Sequence, residues 1–115
     1  GRQMTINEYQ RLAMRTLNPA LSRQDVLLNG VMGLCGESGE VIDLVKKHLH
    51  QGHLMDRENM IRELGDVAWY LAETAWALDV DLETVLRGNI EKLWKRFPEG
   101  FDAEHSIARE DCHEG

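Results

Sequence analysis

The chain has 115 residues, of which 43% are hydrophobic and 29% charged, and its formal net charge is −7. This length predicts one domain, and no apolar run approaches the roughly 20 residues that a membrane-spanning helix needs. The excess of negative charge disfavours a protein that grips the phosphates of DNA or RNA, so an anionic ligand is expected to need a cation as mediator.

The cysteines indicate a reducing environment. Cys35 and Cys112 lie far apart in the sequence and form no metal-binding or redox motif. No secretory signal is visible at the N-terminus. We therefore expect two free thiols and a cytoplasmic location.

Apolar residues recur at three- and four-residue spacing, and the chain has only two prolines, which predicts an all-α protein. The first helix is expected to begin after Thr5, which has a glutamate three residues later in a capping-box pattern. It is expected to stop at the Asn18-Pro19 step. Ser22 is the predicted cap of a long second helix that continues to Gly52.

Two further helices complete the predicted fold. Asp56 is the predicted cap of a third helix that ends near Leu78, and Asp81 that of a fourth that ends before Pro98. Short connections favour antiparallel neighbours, so the expected protomer is bundle-like with four antiparallel helices. Residues 1–101 form the predicted domain, and residues 102–115 form a polar C-terminal tail.

Two pairs of carboxylates interrupt apolar helix faces. Glu37 and Glu40 are three residues apart on the second helix, and Glu63 and Asp66 are three apart on the third. Residues at this spacing project from the same side of a helix. Because consecutive helices with a short loop pack antiparallel, we expect the two pairs to face each other.

Four carboxylates in one patch predict a metal site. Like charges and desolvation raise the pKa of neighbouring carboxyl groups, and a divalent cation removes that conflict. Oxygen ligands suit Mg²⁺, with Mn²⁺ as a substitute. Each mid-helix glycine costs about 0.5–1 kcal/mol relative to alanine, so the glycines beside the pairs predict a close helix approach there. They are Gly30, Gly33, Gly36, Gly39 and Gly65.

The motifs Glu37-Ser-Gly-Glu40 and Glu63-Leu-Gly-Asp66, with the flanking stretches GLCGESGEV and ELGDVAWYL, resemble the MazG-like all-α nucleoside triphosphate pyrophosphohydrolases. The stretch NIEKLWKRFPEGF at residues 89–101 adds to a resemblance that covers residues 26–101. It implies Mg²⁺-dependent hydrolysis of a phosphoanhydride bond, which converts a (d)NTP to (d)NMP and pyrophosphate. Such a reaction fits nucleotide-pool cleaning.

The resemblance also implies roles for the carboxylates. Glu37, Glu40, Glu63 and Asp66 are the expected metal ligands. Either Glu37 or Glu40 is the expected catalytic base, because a carboxylate that is not fully engaged by metal can take a proton from water.

Substrate contacts are expected from the third and fourth helices. The resemblance implies that Asn89, Lys92 and Arg96, which share one helix face, approach the nucleotide. Trp69, beside Asp66, is the strongest candidate for stacking on the base. Core positions are expected of the other aromatic candidates, which are Tyr70, Trp76 and Trp94.

Apolar residues lie on more than one face of the second helix, which predicts self-association because a single short chain cannot cover them. They are Leu27, Leu28, Val31, Met32, Leu34, Val41, Ile42, Leu44 and Val45. The resemblance likewise implies a homodimer or homotetramer, with sites near the subunit interface.

Two alternatives remain open at this stage. The same fold could act on another pyrophosphate-containing nucleotide, such as phosphoribosyl-ATP, dUTP or dCTP. Alternatively, the chain could be a non-catalytic helical dimerisation or regulatory module, although the intact carboxylate pairs argue against this. His48, His50 and His53 invite a zinc site, but histidine is favoured near a helix C-terminus in any case.

Overall fold

The computed structural model describes residues 3–52 and 54–101, and within these ranges it has four α-helices and no β-strand. The helices are α1 (Ile6–Met14), α2 (Arg23–His50), α3 (Arg57–Ala77) and α4 (Leu82–Arg96). The all-α prediction is therefore confirmed. His53 and the predicted tail at residues 102–115 lie outside the described residues.

Three helices begin at the predicted caps. The Thr5 hydroxyl accepts a hydrogen bond from the Glu8 N–H at 3.0 Å, and the Glu8 carboxylate accepts one from the Thr5 N–H at 3.1 Å. Ser22 caps α2 and Asp56 caps α3 by the same kind of contact, each at 3.1 Å. These contacts satisfy N–H groups that have no partner within the first turn of a helix.

The predicted end of the first helix is wrong, because α1 ends at Met14 rather than at the Asn18-Pro19 step. The Ala13 carbonyl accepts hydrogen bonds from the Thr16 N–H at 3.0 Å and from the Thr16 hydroxyl at 2.7 Å. It also accepts one from the Trp69 indole at 3.2 Å. With this carbonyl already engaged, the chain tightens into a turn.

Helices α2 and α3 pack as an antiparallel pair through two close approaches. A Cβ atom at Gly30 would lie 2.6 Å from the Thr74 hydroxyl, and one at Gly33 would overlap the Tyr70 ring. The close-approach prediction is therefore right for these two glycines. In the described part of the chain it is wrong for Gly36, Gly39 and Gly65, where an added Cβ meets nothing within 4 Å.

Helix α1 packs against α3 around a small core. A buried polar side chain joins them: Gln10, only 3% exposed, donates to the carbonyls of Ala72 and Val80 at 3.3 and 3.2 Å. Its own carbonyl accepts from the Leu82 N–H at 2.9 Å. The apolar residues of this core are Ala13, Met14, Ala72 and Leu82.

The chain divides into two compact units, residues 1–82 and 83–115. The first holds α1, α2 and α3. In the second, α4 is followed by Phe97 and Phe101, whose rings stack at 6.1 Å. Helices α2 and α3 are antiparallel, and the four-helix bundle arrangement stays a prediction.

Candidate metal centre

Three carboxylates from α2 and α3 gather at one point. One oxygen from each of Glu37, Glu63 and Asp66 lies within 4.8 Å of the others. Glu37 and Glu63 are half-buried and Asp66 is exposed. Gly33 of α2 packs against Tyr70 of α3. Glu37 lies one turn after Gly33, and Asp66 lies one turn before Tyr70. Because the two helices are antiparallel, Glu37 and Asp66 therefore lie beside each other.

Glu40 is placed differently from the other three predicted ligands. It is exposed and does not belong to the group of oxygens within 4.8 Å. Its negative charge is nevertheless close enough to help raise the pKa of Glu37. Its role as a ligand therefore stays a prediction, and its position beside the group leaves its carboxylate free for another task.

The three carboxylates repel one another, and the pKa of Glu37 records this. Its pKa is raised, first by a hydrogen bond with Glu63 and then by partial burial. The charges of Glu63, Asp66 and Glu40 raise it further. A carboxyl group whose pKa is raised by neighbouring carboxylates marks a site that holds more negative charge than it can keep ionised alone.

The donor set fits a hard divalent cation. All three groups offer oxygen, without the thiolate or imidazole ligands typical of zinc, which favours Mg²⁺ or Mn²⁺. Glu37, Glu63 and Asp66 would hold the ion, and their three oxygens, which lie within 4.8 Å of one another, would move closer together to do so.

Stability and metal binding should depend on pH in opposite directions. Because folding raises the pKa of Glu37 above its ordinary 4.5, the metal-free protein should lose stability as pH rises through that raised pKa. Mg²⁺ affinity should weaken as pH falls through the same window, since ligands bind deprotonated. Thermal unfolding with EDTA or with Mg²⁺, across pH, measures both effects. A Glu37→Gln variant that keeps the wild-type pH slope in EDTA would contradict this assignment.

An aromatic pocket adjoins the carboxylates. It encloses about 350 Å³ and is lined by Glu37, Asp66, Trp69 and Tyr70. The two rings meet edge to face, with centroids 5.1 Å apart and planes at 84°. The Trp69 indole N–H donates to the Thr16 hydroxyl at 2.9 Å as well as to the Ala13 carbonyl, so α1 fixes its orientation. The site thus offers both charge and a flat apolar wall.

Tyr9 is a polar group near this site that the sequence pattern did not reveal, because its spacing matches the apolar stripe of α1. It packs against the core cluster, and burial raises the pKa of its phenol. The negative charge of Asp66 raises that pKa further, which places the hydroxyl within electrostatic range of the carboxylates. Tyr9 is therefore kept as a hydrogen-bond donor.

A hydrogen-bonded pair of polar side chains, Asn29 and Glu73, joins α2 to α3, and the sequence analysis did not predict it. Glu73 is 0% exposed, and the Asn29 side-chain nitrogen donates to its two carboxylate oxygens at 3.0 and 2.9 Å. Helical register was an available signal. Glu73 follows Asp66 by seven residues, or about two turns, and therefore lies on the same face of α3.

The predicted contacts from the fourth helix belong to the second unit. Asn89 and Lys92 are exposed and Arg96 is half-buried, and their spacing places them on one face of α4. The core interpretation is wrong for two of the aromatic candidates, since Trp76 is 48% exposed and Trp94 is 64% exposed.

These features define an all-helical protein whose antiparallel helix pair gathers carboxylates suited to a divalent cation. The MazG nucleotide pyrophosphohydrolase domain matches residues 27–101. This chain belongs to that family, as the sequence resemblance indicated. The matched region includes Glu37, Glu63 and Asp66, and the family is one of nucleotide pyrophosphohydrolases.

One relative carries a similar sequence. The "Gene 37 protein" of Mycobacterium phage L5 is 44% identical over 73 residues, which span 60% of this chain and 64% of that protein. Its name describes no reaction. No solved structure matches the chain significantly. Among the described residues, every helix is too short or too polar to cross a membrane.

Proposed function

We propose that this protein is a cytoplasmic, Mg²⁺-dependent nucleoside triphosphate pyrophosphohydrolase that converts a (d)NTP to (d)NMP and pyrophosphate. Clearance of unwanted nucleotides from the cellular pool is the role that fits this reaction. The meeting of Glu37, Glu63 and Asp66 beside an aromatic pocket supports it most strongly. A nucleotide has a charged triphosphate and a flat base. The carboxylates would bind the triphosphate through a cation, and the aromatic side chains would pack against the base.

Glu37, Glu63 and Asp66 would hold the metal. Bound Mg²⁺, or Mn²⁺ in its place, would neutralise triphosphate charge and polarise a phosphoryl oxygen. Because the pKa of Glu37 is raised, any proton that it carries must leave when metal binds. Trp69 would stack on the base, and the family resemblance implies that Asn89, Lys92 and Arg96 would donate to the phosphates.

Glu40 is our choice for the general base. It is exposed beside the three ligands, and a carboxylate oxygen that is not held by metal can accept a proton from the attacking water. Glu40→Gln should therefore lose turnover by about 10²–10⁴-fold, the usual contribution of general acid–base catalysis, yet keep its thermal stabilisation by Mg²⁺. Loss of both properties would instead make Glu40 a metal ligand.

Pyrophosphate release from a panel of (d)NTPs, with Mg²⁺ and with EDTA, tests the proposed function. We expect metal-dependent release that EDTA abolishes. If pyrophosphate were released from none of them while Mg²⁺ still raised the melting temperature, the proposed substrate would become another pyrophosphate-containing nucleotide. No release and no response to metal would overturn the enzyme assignment and favour a helical interaction module.

Self-association is proposed from an exposed stripe on α2. Its members alternate at four- and three-residue spacing, as in the seam of a coiled coil. Leucine, isoleucine and methionine side chains along it are exposed, and Gly39 has open space around it. We call this stripe the α2 seam; it consists of Leu28, Met32, Cys35, Gly39, Ile42, Lys46 and Leu49.

Ile42→Asp should convert the proposed dimer or tetramer to a smaller species, because it places a charge in the α2 seam. Lys47→Glu, on the same helix but outside the seam, is the control and should leave the assembly intact. Sedimentation velocity distinguishes the species. A wild-type protein that sediments as a monomer at all concentrations would contradict the proposal.

A further inference from the structure

The Asn29–Glu73 pair lies beyond the aromatic residues as seen from the carboxylates. On α2, Asn29 precedes Glu37 by eight residues, which is about 12 Å along the helix axis. On α3, the pair is likewise about two turns from Asp66. Tyr70, packed on Gly33, lies between the two groups. This separation resembles the span from the α-phosphate of an extended nucleotide to the far edge of its base.

Burial of the Asn29–Glu73 pair costs folding free energy, and the packing of α2 against α3 does not require such a pair. A buried carboxylate is unfavourable unless a cation or several donors compensate it, and apolar side chains of similar volume would join two helices at lower cost. Glu73 is fully buried, and the donor that the described residues provide is the Asn29 amide. Asn29 itself is exposed. One partner is thus internal and the other faces outward.

Glu73 fixes which end of the Asn29 amide faces outward. The oxygen and nitrogen ends of an asparagine amide have nearly the same shape, so hydrogen bonds decide its orientation. A carboxylate accepts only, and it therefore holds the Asn29 nitrogen at 2.9 and 3.0 Å. The Asn29 oxygen is the end of the amide that Glu73 does not hold, and it is an acceptor on an exposed residue.

We propose that Asn29 selects the base of the substrate and that Glu73 is its positioning residue, an inference that rests on the proposed function. The Asn29 oxygen accepts a hydrogen bond from the exocyclic amino group of cytosine or adenine. Asparagine and carboxylate oxygens pair with these amino groups in other base-reading sites. The carbonyl oxygen at the same position of uracil or thymine is itself an acceptor, and the Asn29 oxygen repels it. The preferred substrates are therefore amino-bearing nucleotides.

The test compares kcat/KM for dCTP and dUTP, which differ at the amino or carbonyl group in question. The wild type should prefer dCTP by about tenfold or more, within the range for a well-made base contact. Glu73→Gln lets the amide at position 29 turn either way, so the preference should collapse towards one while turnover of dUTP persists. The double variant Asn29→Leu with Glu73→Met removes the hydrogen bonds without leaving an unpaired buried charge, and should give the same collapse.

Thr74→Ala, at the neighbouring contact with Gly30, is the control for stability, and it should keep the wild-type preference. A wild type that hydrolyses dCTP and dUTP equally well would overturn the inference alone. So would Glu73→Gln and double variants that lose stability but keep the preference, because the pair would then be structural. Absence of release from every nucleotide would overturn the proposed function and this inference with it.

Discussion

Glu63→Gln is expected to abolish metal-dependent pyrophosphate release, with a loss greater than the 10–100-fold that mutations in the outer shell of a metal site typically cause. Glu63 is one of the three gathered carboxylates, and it raises the pKa of Glu37. A neutral amide of the same shape removes a ligand charge. It also relieves repulsion in the metal-free protein, so stability in EDTA should stay equal or rise.

Two measurements that should change differently, stability in EDTA and stabilisation by Mg²⁺, make this prediction specific. The variant should be at least as stable as wild type in EDTA, yet it should lose most of the rise in melting temperature on addition of Mg²⁺. Glu58→Gln is the matched control, because Glu58 is an exposed glutamate on the same helix outside the gathered group. It should keep both turnover and the response to metal. Wild-type turnover in the Glu63→Gln variant would rule out this metal centre.

Gly33→Ala is expected to destabilise the protein by about 1–3 kcal/mol, the usual cost of overpacking, and to lower turnover. The added methyl group would overlap the Tyr70 ring, which packs on the glycine and lines the pocket. Either the ring or the helix pair must move. Both movements disturb the spacing of Glu37 from Asp66.

Gly36→Ala, three residues further along α2, should stabilise the protein rather than destabilise it. At Gly36 an added Cβ meets nothing within 4 Å among the described residues, so alanine should gain about 0.5–1 kcal/mol from its better helix propensity. Urea unfolding of the two variants measures the difference. Equal stabilisation by both substitutions would show that α2 and α3 do not approach as closely at Gly33 as the structure has them.

Local chemistry made much of the fold predictable. The caps at Thr5, Ser22 and Asp56 are decided within three residues, and each is found where the sequence indicates it. The α2 stop is equally local, since Gly52 has a positive φ of 72°. The end of α1 at Met14 was not predicted; the turn that follows it is held by local Thr16 contacts and also by an indole 53 residues away along the chain, which no local pattern signals.

The candidate site was predictable in part for a similar reason. Helical periodicity places Glu37 at the α2–α3 interface. Glu40, three residues further on, is rotated by about 60° around the helix axis relative to Glu37. The half-buried stripe continues through Val41 and Leu44, which leaves Glu40 at its exposed edge. The Asn29–Glu73 contact joins residues 44 apart; helical register places Glu73 on the same face as Asp66, but no local pattern pairs it with Asn29.

The most direct test of the account is to identify the products of a nucleoside triphosphate by ³¹P NMR, with Mg²⁺ and the wild-type chain. We expect pyrophosphate and the nucleoside monophosphate in equal amounts, and neither product in EDTA. Orthophosphate with the nucleoside diphosphate, or release that persists in EDTA, would contradict it. The first result would confirm a metal-dependent pyrophosphohydrolase reaction, which is the chemistry expected of the site formed by Glu37, Glu63 and Asp66.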